Sequence, residues 1–290
     1  MTKTQHPKIE LFDTHAHMYM INSFQENSTL FENNAFFDQF PQSVKYRDDF
    51  KFMEQNDFQM AGIVIPGTTF ESSQQSIKFA QKCNFLYAAV GIHPNNTGKA
   101  APNDWSEIID LSKNSHVTAI GETGLDRYWD TVPFEIQVQY FERHLDLANE
   151  RNLPIIVHSR ECDDDMLEIL GNRAKLSQIF GVIHSFSSSA VVAERYLEMG
   201  LYISFSGAVT YTNKKFSQLR EAARIVPDDR LLIETDSPFL TPHPYRGKLD
   251  DNMPIMTAYV AKTLAELRGV TIEHIAAVTT ENARKIFRKK

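Results

Sequence analysis

Eight short apolar segments rich in β-branched residues recur along the 290 residues, and helical patterns lie between them. Segments such as Ile155-Ile156-Val157 are continuous rather than alternating, which is typical of strands covered on both faces of a parallel sheet. Eight strands that alternate with helices favour a (β/α)8 barrel over an open doubly wound sheet, and the dinucleotide-binding glycine pattern is missing after the first strand. The predicted strands cover residues 9–13, 61–65, 85–90, 117–120, 154–157, 180–183, 201–205 and 230–233.

Helical periodicity is clearest before the fifth predicted strand, where apolar residues recur in steps of four and three. The stripe is formed by Phe134, Val138, Phe141, Leu145 and Ala148. The segment from residue 253 to residue 287 is rich in helix formers and predicts two or three helices that close the barrel. The sequence therefore predicts an α/β fold, a TIM barrel in one domain over residues 1–290. Further helices are predicted at 72–82, 104–113, 164–175, 189–199 and 213–224.

The connection between strands one and two, from Met18 to Met60, is long and unusually aromatic. Seven phenylalanines lie between positions 24 and 52. A connection of this length either packs on the barrel or serves as a lid over the site, and packing is the favoured interpretation. We therefore predict a long aromatic insertion at this place.

Composition excludes some functions. A formal net charge of −7 argues against a broad basic face for duplex nucleic acid, but it does not exclude an enzyme that holds phosphate through metal. Cys83 and Cys162 are the only cysteines, so no disulfide framework is expected. The sequence shows no signal peptide and no apolar run of about 18 residues. A cytoplasmic protein without a membrane partner is expected.

Histidines and carboxylates follow the predicted strands at their carboxyl ends. In a barrel these ends open on one face, so groups that are far apart in sequence converge there. His15 and His17, at i and i+2 after strand one, would project from the same side of the chain. The other polar groups at strand ends are His93, Glu122, His158, His184, Glu234 and Asp236.

This donor set exceeds what one tetrahedral ion uses, so a two-metal site is expected. A water shared between two divalent ions would lose a proton near neutral pH and become the nucleophile. Mixed histidine and carboxylate ligation suits Zn, Mn or Mg. One ion would be held by His15, His17 and Asp236, the other by His158 and His184, and Glu122 would bridge the two.

Two further residues are expected to act in catalysis. Glu234 lies two positions before Asp236 on the same strand face, so its side chain should also face the lumen. His93 would contact the substrate or transfer a proton. Four other histidines, His6, His116, His144 and His274, are interpreted as surface or helix residues.

With these residues identified, the chain resembles the TatD family of metal-dependent deoxyribonucleases, a group of amidohydrolase-like barrels. The similarity runs essentially from end to end. Its motifs stand here as DTHAH at 13–17, GIHP at 91–94, GETGLD at 121–126, IIVHSR at 155–160, ETDSP at 234–238, PYRGK at 244–248 and TENAR at 280–284.

The resemblance implies a TIM barrel that binds divalent ions and hydrolyses DNA phosphodiester bonds, commonly as a 3′→5′ exonuclease. It implies metal-binding roles for His15, His17, Glu122, His158, His184 and Asp236.

Three departures from the family pattern are visible. Ser185 follows His184 where the family has cysteine, although the ligand itself is kept. Met253 replaces the glutamate of an Asn-Glu-Pro motif, so a carboxylate is missing from that loop. The aromatic connection between strands one and two is also longer than is usual, and it would narrow the substrate range if it overhangs the site.

Loop residues near the strand ends are candidates for substrate contact. Arginine and lysine would contact phosphate, and aromatic rings would stack on bases. Together with the acidic net charge, this favours single-stranded, short or frayed DNA ends over tight duplex binding. The phosphate candidates are Arg127, Arg160, Arg246 and Lys248, and the stacking candidates are Tyr128, Trp129, Phe186 and Tyr245.

Two other functions compete with a nuclease. A metal-dependent ester or amide hydrolase, such as a D-aminoacyl-tRNA deacylase, would use the same site. Strand four ends Ala119-Ile120-Gly121-Glu122, and the absence of lysine there disfavours barrels that bridge their metals with a carboxylated lysine. A barrel that only binds a partner is disfavoured, because such a protein has no reason to keep six matched ligands.

Overall fold

The computed structural model describes residues 8–21, 52–53, 56–249 and 251–287. Eight parallel strands form one sheet in chain order, and each strand pairs with the next. Backbone bonds from Thr14 N to Ile233 O (3.1 Å) and from Asp236 N to His15 O (2.8 Å) join the last strand to the first, so the barrel is nearly closed. The strands are β1 Ile9–Asp13, β2 Phe58–Pro66, β3 Leu86–Val90, β4 Val117–Asp126, β5 Ile155–Arg160, β6 Gly181–Ile183, β7 Tyr202–Phe205 and β8 Leu231–Ile233.

Helices lie between the strands, as the periodicity predicts, and the (β/α)8 prediction is confirmed. The longest helix begins after Pro133 and ends at Arg151, and the next residue, Asn152, has a positive φ of 50°. Asparagine tolerates this left-handed conformation better than most residues. The helices are α1 Phe70–Ala80, α2 Asp104–Leu111, α3 Phe134–Arg151, α4 Asp163–Ala174, α5 Ala190–Glu198, α6 Ser217–Ile225, α7 Thr257–Arg268 and α8 Ile272–Ile286.

The barrel interior is a packed core closed at one end by α8, which confirms the predicted closing helices. The ring of Phe287 stacks on Phe12 of β1, with 6.4 Å between centroids. Asn282 of α8 donates to the carbonyls of Asp228 (2.7 Å) and Leu231 (2.9 Å) at the amino end of β8. One side chain from each strand fills the space above α8: Phe12, Val64, Ala89, Ala119, Ile156, Val182, Tyr202 and Leu232.

The fourth strand differs from its prediction. It was expected to end at residue 120, but it continues to Asp126, because its backbone still pairs with β5 at Gly124 and Asp126. The two glycines of the GETGLD motif therefore lie inside a strand rather than in the loop that follows it. This extension places Glu122 and Asp126 on the barrel itself.

Most of the aromatic insertion lies outside the described residues. Whether it packs on the barrel or forms a lid therefore stays a prediction. Phe52, near its end, is described. Its ring contacts Phe58 of β2 and Tyr259 of α7, with centroids 5.4 and 5.2 Å apart. Among the helices of the described ranges, none combines the length and apolar character that a membrane crossing requires.

Candidate metal centre

The carboxylate of Glu122 lies at the centre of the carboxyl-terminal mouth of the barrel, buried among histidines. One oxygen, Oε1, is 2.9 Å from His184 Nε2, 3.1 Å from His158 Nδ1 and 3.4 Å from His93 Nε2. These rings come from β5, β6 and the loop after β3. The strand ends therefore converge on Glu122, as the barrel geometry predicts.

The other oxygen of Glu122, Oε2, faces the histidine pair that follows β1. His15 Nε2 is 3.3 Å and His17 Nε2 is 3.5 Å from this oxygen, and the two ring nitrogens are 3.2 Å apart. Asp236 Oδ1, after β8, lies 3.7 Å from His15 Nε2 and 3.4 Å from His17 Nε2. The two oxygens of Glu122 thus face two separate groups of donors.

A buried aspartate, for which no role is predicted from the sequence, holds the carboxyl ends of β1 and β8 together. Asp13 Oδ1 accepts hydrogen bonds from the backbone N–H groups of His15 (3.1 Å) and Thr235 (3.0 Å), and Oδ2 accepts one from the Thr235 hydroxyl (2.5 Å). This network fixes the two segments that carry His15 and Asp236. In the sequence, this role is indicated only by the position of Asp13, a polar residue at the end of an apolar strand.

Glycine allows β4 and β5 to approach closely beside the site. Gly124 has a φ of +142°, and a Cβ at this position would lie 2.0 Å from the carbonyl oxygen of His158. Any side chain would therefore force the two strands apart and strain the backbone. The separation of Glu122 from His158 depends on this contact.

Two carboxylates lie behind the histidines of β5 and β6 and orient their rings. Asp126 Oδ2 is 3.0 Å from His158 Nε2, and Glu234 Oε1 is 3.3 Å from His184 Nδ1. With an ion bound, the nitrogen beside the carboxylate would carry the proton, and the other nitrogen would present its lone pair to the ion. Glu234, which we expected to be catalytic, lies in a position that suits a positioning residue.

His93 has the opposite arrangement. Its Nδ1 accepts a hydrogen bond from the backbone N–H of Asn95 (3.1 Å), so in the neutral ring the proton is on Nε2. This nitrogen faces Glu122. His93 is therefore placed to donate a hydrogen bond into the site rather than to present a lone pair there.

Charge is concentrated at the centre. Burial disfavours a negative charge on Glu122, but the neighbouring histidines, His184 first, hold the pKa of its carboxyl well below its ordinary value. Burial lowers the pKa of His184, but Glu122 and Glu234 raise it well above the ordinary value. Burial also raises the pKa of Asp126, yet the hydrogen bond from His158 brings it down to about 2. Both carboxylates are therefore ionised near neutral pH, which is the form that binds cations.

The donor set fits divalent metal ions. Within the described residues, Glu122 Oε2 and His15 Nδ1 are buried without a hydrogen-bond partner, which is costly for polar atoms unless another group satisfies them. Three groups bring ligand atoms within 4.8 Å of one another. They are His15, His17 and Glu122; His93, Glu122 and His158; and His15, His184 and Glu234.

The predicted substrate residues differ in their surroundings. Arg127 forms two 2.7 Å hydrogen bonds to Asp165, and Arg246 lies over the ring of Tyr211, 4.1 Å from its centroid. Arg160, at the end of β5, lies 3.8 Å from the ring centroid of Tyr128.

Two predicted stacking residues, Tyr245 and Phe186, are buried, so neither ring offers a face to a base. The hydroxyl of Tyr245 instead lies 2.8 Å from that of Tyr259.

His144, interpreted as a surface or helix residue, does lie on helix α3, but it is fully buried. Its Nε2 accepts a hydrogen bond from the backbone N–H of Ile92 (3.0 Å), and its Nδ1 donates to the carbonyl of Tyr140 (2.6 Å). It thereby fixes the segment that carries His93. The signal for this role was its position beside the apolar stripe of the helix, three residues after Phe141.

Comparison with known proteins agrees with the site. A family model described as TatD related DNase matches residues 12–288. The chain is 40% identical over 278 residues to the uncharacterized metal-dependent hydrolase YabD of Bacillus subtilis, covering 96% of this chain and 99% of that protein. It is 44% identical over 197 residues to the uncharacterized metal-dependent hydrolase YcfH of Escherichia coli K12, covering 68% and 72%.

A solved structure has the same fold. The crystal structure of YJJV, a TatD homolog from Escherichia coli K12, matches with a TM-score of 0.76 and 29% identity, covering 96% of this chain and 97% of that chain. The family model spans nearly the whole sequence, and the histidines and carboxylates of its motifs meet at one end of the barrel. The chain belongs to the TatD family of metal-dependent hydrolases.

Proposed function

We propose that the protein hydrolyses DNA phosphodiester bonds with the help of two divalent ions, acting as a 3′→5′ exonuclease on single-stranded or frayed ends. The observation that supports this most is the position of Glu122, whose two oxygens face two separate groups of histidines. The description of the matching family as DNases supports the choice of bond. The acidic net charge supports short or single-stranded ends over long duplexes.

The ligands divide between the two sides of Glu122. His15, His17 and Asp236 would hold one ion on the side of Glu122 Oε2, and His158 and His184 would hold the other on the side of Oε1. When bound, divalent ions polarise a phosphodiester and make water more acidic. The protein contributes ionised Glu122 and the ring orientations set by the carboxylates behind His158 and His184.

Asp236 and His93 are the groups that handle protons. The side chain of Asp236 is 15% exposed, against 3% for Glu122, so it is the more accessible carboxylate of the centre. It accepts a proton from the attacking water as the P–O bond forms. His93 holds its proton at Nε2 and would donate a hydrogen bond to the oxygen that leaves when the other P–O bond breaks, and this oxygen takes up a proton from solvent.

Arg160 is the residue best placed to hold the phosphate chain. It ends the same strand that carries His158, and it is half-buried against Tyr128. Its guanidinium can form paired hydrogen bonds with phosphate oxygens. Arg127 is less suited to this role, because Asp165 already engages two of its nitrogens.

A nuclease assay on metal-free protein tests the proposal. Chelated protein is supplied with Mg, Mn or Zn and with single-stranded DNA labelled at its 5′ end. We expect no cleavage without metal, and a ladder that shortens from the 3′ end once metal is restored. The matched pair of variants is His17→Asn, which removes a ligand, and His116→Asn, which changes a histidine at the amino end of β4.

We expect His17→Asn to lose activity at least about 100-fold and His116→Asn to keep it. Undiminished cleavage after exhaustive chelation, or no cleavage with any of the three ions, would contradict the proposal. Cleavage of an aminoacyl-tRNA ester under the same conditions, without cleavage of DNA, would establish the alternative ester hydrolase.

A further inference from the structure

Exposed aromatic rings are concentrated around the mouth of the barrel. Among the described residues, four large aromatic side chains are strongly exposed: Tyr128 (48%), Trp129 (50%), Phe180 (43%) and Phe239 (52%). Phe180 precedes β6 and lies at the amino-terminal end of the barrel. The other three follow β4 or β8, at the end that carries the metal centre.

Tyr128 and Trp129, which follow β4, are held at the backbone by Asp126. The backbone N–H groups of Tyr128 and Trp129 both donate to Asp126 Oδ1, at 2.9 and 3.0 Å. The other oxygen of Asp126 bonds to His158. Arg160 lies against Tyr128 and 5.9 Å from the centroid of Trp129. The backbone of Trp129 is therefore held beside Asp126 at the mouth of the barrel, and its indole is half exposed.

Phe239 is fixed in the same manner after β8. Its backbone N–H donates to the carbonyl of Asp236 (2.9 Å), and its carbonyl accepts from Asn252 Nδ2 (2.7 Å). Its ring lies 6.2 Å from that of the ligand His17. Half of this ring remains exposed, although a phenylalanine side chain gains free energy when it is covered.

The two aromatic positions lie on opposite sides of the metal centre. In a barrel of eight strands in chain order, three strands separate β4 from β8 in either direction. A polymer that places one phosphodiester at Glu122 therefore passes Trp129 on one side and Phe239 on the other. Base faces are the feature of single-stranded DNA that such rings recognise, and these faces are covered in a duplex.

We propose that Trp129 and Phe239 are stacking platforms for the two bases that flank the scissile phosphodiester. This inference rests on the proposed nuclease function and deepens it: the substrate is a single strand with an unpaired base on each side of the reacting bond. Arg160 adds a positive charge beside the Trp129 platform, where it meets the phosphate that follows the stacked base.

Substrates that lack one base test this assignment. Single-stranded oligothymidylate is compared with oligomers of equal length and charge that carry an abasic residue on one side of the cleaved bond. For Trp129→Ala we expect kcat/KM on the normal substrate to fall about tenfold or more, mainly through KM. On an oligomer that lacks the base stacked on Trp129, wild type and Trp129→Ala should have the same kcat/KM. Phe239→Ala should match wild type in the same way when the base on the other side of the cleaved bond is absent.

Conservative and control variants separate stacking from a structural role. Trp129→Phe and Phe239→Tyr should keep most of the wild-type kcat/KM. Phe180→Ala, which changes an exposed ring at the opposite end of the barrel, should leave kcat/KM unchanged. If either alanine variant has no effect, or lowers hydrolysis of normal and abasic substrates equally, the platform is overturned although DNA cleavage still stands.

A binding measurement keeps the proposal testable if wild-type protein does not cleave DNA. The chain has two tryptophans, so Trp105→Phe leaves Trp129 as the only indole. Quenching of its emission by oligothymidylate, but not by a fully abasic oligomer, would support stacking even where the nuclease function fails. Absence of quenching would overturn the Trp129 platform.

Discussion

At the scale of single residues, the chemistry of the centre depends on which nitrogen each histidine turns toward Glu122. Asp126 and Glu234 lie beside the outer nitrogens of His158 and His184, so with an ion bound the inner nitrogens would present lone pairs to it. His93 receives a backbone hydrogen bond instead, and it keeps its proton on the inner nitrogen. In the proposed mechanism the same residue type would thus serve as a metal ligand in two places and as a hydrogen-bond donor in a third.

Replacing Glu122 tests the shared carboxylate. Glu122→Gln keeps the side-chain volume but removes the negative charge that faces both groups of histidines. We expect metal content to fall in elemental analysis and DNA hydrolysis to fall at least about 100-fold, while the circular dichroism spectrum stays unchanged. Glu281→Gln, which alters an exposed carboxylate paired with Lys285, is the control. Near wild-type metal content and turnover in Glu122→Gln would remove Glu122 from the centre.

At the scale of elements, β4 shows what could be predicted from the sequence and what could not. The sequence predicts the residues of its motif but a strand that ends at residue 120, because glycine is uncommon in strands. The structure shows why glycine is needed: a Cβ at Gly121 would lie 2.8 Å from Ile156, and one at Gly124 would meet His158. Close approach between neighbouring strands is a tertiary constraint, so local propensity could not predict it.

His144 illustrates a second limit of sequence reasoning. A histidine at the edge of an apolar helical stripe is compatible with both a surface and a buried position, and only the packing of α3 against the β3 loop decides between them. The decisive contact is the hydrogen bond to the backbone of Ile92, 52 residues away in sequence. No spacing rule connects these two positions.

The buried His144 predicts that stability depends on pH. Burial lowers the pKa of its imidazole from 6.5 to about 4, so the folded state holds the neutral ring. Its contribution is complete above pH 6.5 and is lost as the pH falls from 6.5 toward 4, which amounts to about 3 kcal/mol. His144→Gln keeps a donor and an acceptor but cannot titrate. In urea unfolding at pH 7 and pH 4, we expect the variant to lose about 3 kcal/mol less than wild type. Equal losses would contradict the prediction.

At the scale of the whole molecule, the centre joins segments from both ends of the sequence. Its residues lie in β4 and β5 or directly after β1, β6 and β8, so Asp236 lies beside His15 although 221 positions separate them. This convergence could be predicted, because eight alternating units imply a barrel and a barrel collects its strand ends on one face. The residues that position these side chains could not be predicted. Hydrogen bonds such as the one that Thr235 donates to Asp13 leave no periodic pattern in the sequence.

Because the ligands come from strands on all sides of the barrel, metal binding should stabilise the entire fold. An ion that binds only the folded state at 100 times its Kd adds about 2.7 kcal/mol. With an unfolding entropy of about 2.1 cal/mol/K per residue, this corresponds to a rise in Tm of roughly 4 °C per ion for 290 residues. Calorimetry on chelated protein with Mn or Zn added back measures the shift.

The size of this shift reports how many ions the barrel holds. Two independent ions at the same saturation should raise Tm by roughly 8 °C, and Glu122→Gln should show a smaller rise, because it weakens both groups. His116→Asn, at the far end of β4, should respond as wild type does. A Tm that does not change with metal in the wild-type protein would mean that these ligands do not form a metal site in the folded barrel. A rise confined to one increment of roughly 4 °C would favour one ion over two.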